Sequence, residues 1–334
     1  MKEYKIDNHE PSYLPDGEWK LVWADEFDGT ELDRTKWDFR LNFWGKRFDA
    51  YTDQGVIVRN GCVELHRTEV DGRYVSPQLQ TGSNSFDVPK SGLDNPWGEN
   101  EIWKLGILEP PKFVHRYGFY ECRCKFQKDP KTMWSAFWTQ SPTIGARFEP
   151  EWCGIESDIM EHFTPGIATT GNIMGGYGKQ FREEGRVRYE IEEDGWHYFG
   201  MDWQPDGYVF YCDGKEVSRC NKNVSHVPQF ILLTTEVLGY RNSKGKTIID
   251  ADGKEYKHSY RGHHCSKSDD VSQQFVNFDK AFIELGAMSF GKFGNAEVRI
   301  VDAAKAKEIL IKILKNADRD LCIEKMDIPE EWYK

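Results

Sequence analysis

Gly154-Ile155-Glu156-Ser157-Asp158-Ile159-Met160-Glu161-His162 is the stretch on which the reading of this chain turns. Three carboxylates fall within six residues, separated by apolar or small side chains. Side chains alternate faces along a strand, so Glu156 and Asp158 point the same way and Glu161 points the other way. A β-bulge that absorbs one residue around Ile159-Met160 would restore the phase and bring all three acids to one face. Glu156 and Glu161 would then stand as residues four apart, about 13 Å between backbones, a gap that two glutamates leaning together largely close. Asp158 lies between them, placed to share a proton with Glu156 and to drive the two glutamate pKa values apart. A solvent-facing strand that happens to be acidic is the plain alternative, but carboxylates at this density are poor strand formers.

The order Glu-x-Asp-x-x-Glu resembles the catalytic signature of glycoside hydrolase family 16 in its bulged form. That family includes laminarinases, mixed-linkage β-glucanases and agarases. The resemblance implies Glu156 as nucleophile, Asp158 as its helper and Glu161 as general acid/base, with the carboxyls at the ~5–5.5 Å separation of a retaining glycosidase. It implies no cofactor. A second match lies far away in sequence, in Trp19-Lys20-Leu21-Val22-Trp23-Ala24-Asp25-Glu26-Phe27-Asp28-Gly29, which reads as an amino-terminal strand running into a turn. Gly195 to Trp203, followed by Gln204-Pro205-Asp206-Gly207 and Tyr208 to Cys212, is a third. Glu297 to Val301 resembles the family's closing strand. Ala296 replaces the Asp that commonly precedes it and helps hold calcium, so no metal is expected. Many relatives carry a His-Trp pair near Met174 that this chain lacks.

The remaining chain reads as many short aromatic strands joined by glycine-centred turns. Asn60-Gly61 and Asp213-Gly214 are hairpin signals. Tyr117 to Phe126, Thr132 to Thr139 and Phe230 to Val237 read as strands, and Thr81 to Glu101 as a long, functionally suggestive loop with Trp97 near its tip. The expected fold is all-β, a jelly-roll sandwich with a concave cleft. One amphipathic helix follows, marked by Ala303, Ala306, Leu310, Ile313, Leu314 and Ala317 and capped by Asp302. The expected organisation is a catalytic domain over 1–302, with a polar insertion near 239–274, and a helical extension over 303–334. His258, His263, His264 and Cys265 within that insertion fit no standard zinc spacing and read as solvated loop residues.

Aromatic side chains stack on sugar rings as readily as they fill cores. Trp134, Trp138, Asn42, Trp44, Glu236 and Tyr177 are the candidate substrate-binding residues. Trp138 and Trp44 have core packing as an equal alternative.

Composition narrows the partners. The 334 residues carry a net charge of -11 and 14% aromatics, which argues against nucleic acid or an anionic membrane as ligand and makes sulfated polysaccharides less comfortable ones. No apolar run approaches a membrane span. Eight scattered cysteines and the polar first residues suggest reduced thiols in a cytoplasmic protein, a secreted one with its signal missing being the alternative. A monomer acting on a β-1,3- or mixed-linkage glucan is expected, with a β-galactan hydrolase or a non-catalytic carbohydrate-binding sandwich as rival readings. Two close carboxylates that repel each other give a pure binder nothing.

Overall fold

The computed structural model describes residues 1–237, apart from 7, 44–45, 71–72, 88–102, 104, 107, 127–132, 177–180 and 193–194, together with 247–249 and 255–257. In chain order the strands begin with β1 (Lys2–Tyr4), β2 (Ser12–Leu14), β3 (Asp38–Phe39), β4 (Asn42–Phe43), β5 (Lys46–Arg47), β6 (Tyr51–Thr52) and β7 (Val56–Arg59). They continue through β8 (Cys62–Leu65), β9 (Thr68–Val70), β10 (Arg73–Gln80), β11 (Gly118–Cys124), β12 (Met133–Gln140), β13 (Glu156–Thr164) and β14 (Ile167–Met174). The rest are β15 (Arg182–Glu190), β16 (His197–Gln204), β17 (Gly207–Cys212), β18 (Lys215–Cys220), β19 (Phe230–Val237), β20 (Thr247–Ile249) and β21 (Glu255–Lys257). One helical turn, α1 (Pro150–Cys153), precedes the acidic strand.

Two sheets dominate. The larger runs β15-β14-β13-β12-β19-β10-β3, with β6 and β9 also pairing β10, and the smaller runs β11-β16-β17-β18. Every neighbouring pair along these two paths is antiparallel, so each strand can offer one face to the other sheet and one to solvent or ligand. The shared core takes Leu79, Phe137, Ile159, Met160 and Ile231 from the larger sheet and Phe199, Met201, Trp203, Tyr208 and Phe210 from the smaller. These inward residues alternate with outward ones, as the patterns His197-x-Phe199-x-Met201-x-Trp203 and Tyr208-x-Phe210-x-Cys212 foretell. This is the expected jelly-roll sandwich.

The two hairpin signals are borne out. Asn60 and Gly61 have φ of 54° and 68°, and Asp213 and Gly214 have 49° and 72°, the double left-handed turn that follows the twist of its flanking strands. The stretch Trp19–Gly29, expected as a strand, forms none among the described residues. It is held by rings and side-chain bonds instead. Trp23 lies 5.1 Å from Phe113 and 5.4 Å from Trp37, and Trp37 Nε1 donates to Asp25 Oδ2 at 2.8 Å. Leu21 and Val22 point into solvent. The carboxy-terminal helix, the 302/303 boundary, Trp97, the closing strand 297–301 and the four His and Cys of the insertion lie outside the described residues.

The β1–β2 hairpin is tied to the smaller sheet by one carboxylate. Tyr13 N–H donates to both oxygens of Glu121 on β11, at 3.3 and 3.2 Å, and the Tyr13 ring meets Tyr198 edge-on at 4.9 Å. Burial pushes the Glu121 carboxyl up to about 7, against the Ser12 and Tyr13 hydrogen bonds that pull it down. A pKa raised by folding means stability that is full at low pH and lost as pH climbs through the folded value. The wild-type melting temperature is therefore expected to fall between pH 5 and pH 8 relative to that of Glu121→Gln, a difference that paired thermal melts at the two pH values measure.

Candidate active site

The acidic strand contains the bulge that its sequence demands. Against β12, Met160 pairs with Phe137 and Asp158 with Trp138, leaving Ile159 without an opposite number. Against β14, three steps from Asp158 to Glu161 face two steps from Gly171 to Thr169. Ile159 and Met160 consequently both drop into the core, at 0% and 2% exposure. His162 follows them inward, its ring stacked 4.3 Å from Phe126. Glu156, Asp158 and Glu161 are thereby left together on the opposite face. All three are buried, at 5%, 3% and 5% exposure.

Each glutamate is held differently. Gln140 stands opposite Glu156 in register and donates through Nε2 to Glu156 Oε2 at 2.5 Å. Asn84 Nδ2 donates in turn to Gln140 Oε1, so an amide pair orients Glu156. Glu161 receives the Trp134 indole N–H at Oε1, 3.0 Å away, and its Oε2 lies 2.8 Å from Arg186 NH2. The same guanidinium comes within 3.5 Å of Asp158 through NH1. Burial first, then the charges of Glu161 and Glu156, raise Asp158 well above the usual carboxylate range, and Arg186 offsets only part of this. Asp158 is thus held toward its neutral form, and Glu156 and Glu161 differ in what surrounds them.

The outward face of β19 extends the site. Glu236 stands opposite Trp134 and accepts from Tyr51 O–H at 3.2 Å. Trp134, expected as a sugar platform, is half-buried and tilted against Phe163 at 4.9 Å, with its N–H committed to Glu161. Trp138 is only 4% exposed; its Nε1 donates to Thr234 Oγ1 at 3.0 Å and the Arg40 guanidinium lies 5.5 Å from its ring. It packs with Phe230 and Leu232 in the floor of the site. Arg40 is locked there by a buried pair with Asp87 at 2.8 Å. Asn42 sits in the β4–β5 hairpin, whose Phe43 meets Tyr51 at 6.2 Å. Trp44 and Tyr177 lie outside the described residues. Sequence reasoning missed Asn84, Gln140, Arg40 and Arg186; the polar run after Thr81 was the available signal for Asn84 alone.

The family model for glycosyl hydrolases family 16 matches residues 106–237, the segment from before β11 to the end of β19. Beta-porphyranase B of Phocaeicola plebeius is 23% identical over 282 residues, covering 70% of this chain and 81% of the porphyranase. A beta-glucanase of Acetivibrio thermocellus is 27% identical over 141 residues, covering 42% of this chain and 40% of that protein. Among solved structures, SCLam, a non-specific endo-beta-1,3(4)-glucanase, superposes with a TM-score of 0.50 at 20% identity, over 73% of this chain and 89% of that one. That likeness is one of fold alone.

Two outcomes test this arrangement. A hydrogen bond to a charged group is worth about 1.5–3 kcal/mol, so Gln140→Met should lower kcat by about 10- to 100-fold while leaving the melting temperature nearly unchanged. Asp158→Asn removes a buried group whose ionisation opposes folding. Its stability gain over wild type should be small near pH 3, where the unfolded carboxyl (about 3.9) is still largely protonated, and should grow toward pH 8 as measured by thermal melts; activity should fall at every pH.

Proposed function

We propose that the protein is a retaining, endo-acting hydrolase of a β-linked polysaccharide, with Glu156 as nucleophile, Asp158 as its helper and Glu161 as general acid/base. The observation that carries this reading is the bulge at Ile159, which gathers three buried carboxylates on one face of a long sheet. Glu156 attacks the anomeric carbon while protonated Glu161 gives its proton to the departing oxygen. Glu161, now ionised, then takes a proton from the water that releases the sugar from Glu156. Asp158, held toward its neutral form by burial and by the charges of both glutamates, is the helper beside the nucleophile. Glu236, Tyr51 and Trp134 line the face beside the acids and are the proposed sugar contacts.

A β-1,3- or mixed-linkage glucan is the substrate this reading favours. The net charge of -11 disfavours polyanions, and a β-glucanase is among the relatives. A β-galactan is the second reading, favoured by the long alignment to a porphyranase, which spans 81% of that protein. No helix among the described residues is long and apolar enough to cross a membrane, and we propose a monomer that needs neither membrane nor nucleic acid.

Glu156→Gln and Glu161→Gln should each abolish cleavage of laminarin and lichenan without loss of fold, because an amide fills neither role. Proton NMR of the first products should show the β anomer. Folded variants that keep near-wild-type turnover would refute the assignment. Cleavage of agarose or porphyran with no action on the glucans would replace the substrate and leave the mechanism in place.

A further inference from the structure

The larger sheet holds a second bulge, on the strand two places from the acidic strand. Between β14 and β15 the register moves from Thr170 opposite Val187 to Asn172 opposite Glu184, so two steps on β14 face three on β15. Gly185, with φ of 65°, sits in the extra turn of chain. Gly171 faces it, and a Cβ there would lie 2.8 Å from the Arg186 Cα. The backbone of β15 can close on β14 at this point only because residue 171 has no side chain. Asp158 is also opposite Gly171, on the other side of β14. The glycine thus leaves room for a side chain from β15 to lean over β14 and reach the acids. Arg186 does so.

The contacts of its guanidinium are all anionic. NH2 is 2.8 Å from Glu161 Oε2, and NH1 is 3.5 Å from Asp158 Oδ2 and 3.0 Å from Glu183 Oε1. Arg186 is a quarter exposed, whereas the side chains of Glu161 and Asp158 are only 6% and 4% exposed. Glu183 forms an i,i+3 brace from the same strand that keeps the guanidinium pointed across the sheet. Among the described residues, the other charged groups on this side include Glu156 on β13, Glu236 on β19, the Arg40–Asp87 pair at the floor and Arg188, whose NH2 is 3.5 Å from Thr164 Oγ1. Neither Trp134 on β12 nor Thr169 on β14, the neighbours of Glu161 from the two flanking strands, titrates near neutral pH. Among the described residues, Arg186 is the cation in direct contact with Glu161.

Accepting Glu161 as the acid/base, we infer that Arg186 is a positioning residue for the second half of the reaction, holding Glu161 as the carboxylate that deprotonates the attacking water. Glu161 alternates between two forms. It must be protonated when the leaving group departs and ionised when water attacks. A guanidinium on one oxygen and an indole N–H on the other both favour the ionised form. Arg186 thus aids release of the covalent sugar and restrains the preceding proton donation. The cation sets the balance between the two half-reactions, a role that neither Glu156 nor Asp158 can fill.

The test is Arg186→Met with Arg186→Lys as the conservative control. An aryl β-glycoside of the oligosaccharide with a good leaving group needs little acid help, so water attack limits its turnover. With this substrate Arg186→Met should show a pre-steady-state burst, at least a tenfold fall in kcat and a lower KM as the covalent intermediate accumulates. On the natural polysaccharide the basic limb of kcat/KM, which marks loss of the Glu161 proton, should move up by about one pH unit or more. Arg186→Lys should restore much of both. An unmoved basic limb with kcat and kcat/KM falling in parallel would reduce Arg186 to a structural brace and overturn the proposal. Carboxyl-carbon NMR of glutamate-labelled resting protein, with Glu161 assigned through Glu161→Gln, keeps this separate from the function itself. The Glu161 titration should move to higher pH in Arg186→Met even if no tested polysaccharide is cleaved. An identical titration in wild type and variant would overturn the inference whatever the substrate proves to be.

Discussion

One supernumerary residue governs the site. Ile159 has no partner on β12, and its insertion is what turns Glu161 to the same side as Glu156 and Asp158. Core packing secures it. Ile159 and Met160 enter the sandwich side by side and are fully covered, and returning either to the outer face would expose a large aliphatic side chain at a cost of about 1.5–3 kcal/mol. The hydrophobic effect on one side of β13 therefore holds three carboxylates in mutual repulsion on the other. A regular strand with the same residues would separate the acids without any change in composition.

Keeping three buried acids together requires their charges to be unequal. The sheet arranges this by surrounding each one differently. Glu156 meets an amide, Glu161 meets an indole and a guanidinium, and Asp158 lies between with its ionisation suppressed by burial and by both neighbours. The same logic operates at the floor, where Arg40 is buried among Phe43, Tyr51 and Trp138 and is neutralised by Asp87. A buried ion pair of this kind gives little net stability, but it fixes the aromatic rings beneath the site in one arrangement.

What could be read from the sequence was whatever depends on local period. The bulge follows from the phase of Glu156, Asp158 and Glu161 against Ile159-Met160, and the two tight turns follow from Asn60-Gly61 and Asp213-Gly214. Strands β16 and β17 announce themselves by alternation. The hydrogen-bond partners do not. Gln140 meets Glu156 only because β12 and β13 pair in one register, and Arg186 reaches Glu161 across an intervening strand. Such contacts are set by long-range pairing that no window of sequence contains. The Trp19–Gly29 segment misled for the opposite reason: its residues look like a strand, while the aromatic contacts of Trp23 and Trp37 hold it without a ladder. Trp134 was expected to offer a ring face to sugar, and its N–H bond to Glu161 was invisible without the register.

The amide pair beside Glu156 has a consequence for the route that protons take. Asn84 and Gln140 donate hydrogen bonds toward the nucleophile, yet neither can gain or lose a proton near neutral pH. That wall of the site acts as an insulator. On the other wall stand Asp158 and Glu161, both ionisable and both in contact with a partly exposed guanidinium. Groups that can change protonation near neutral pH therefore flank the nucleophile on the Asp158 and Glu161 side, while the amide side can only orient it.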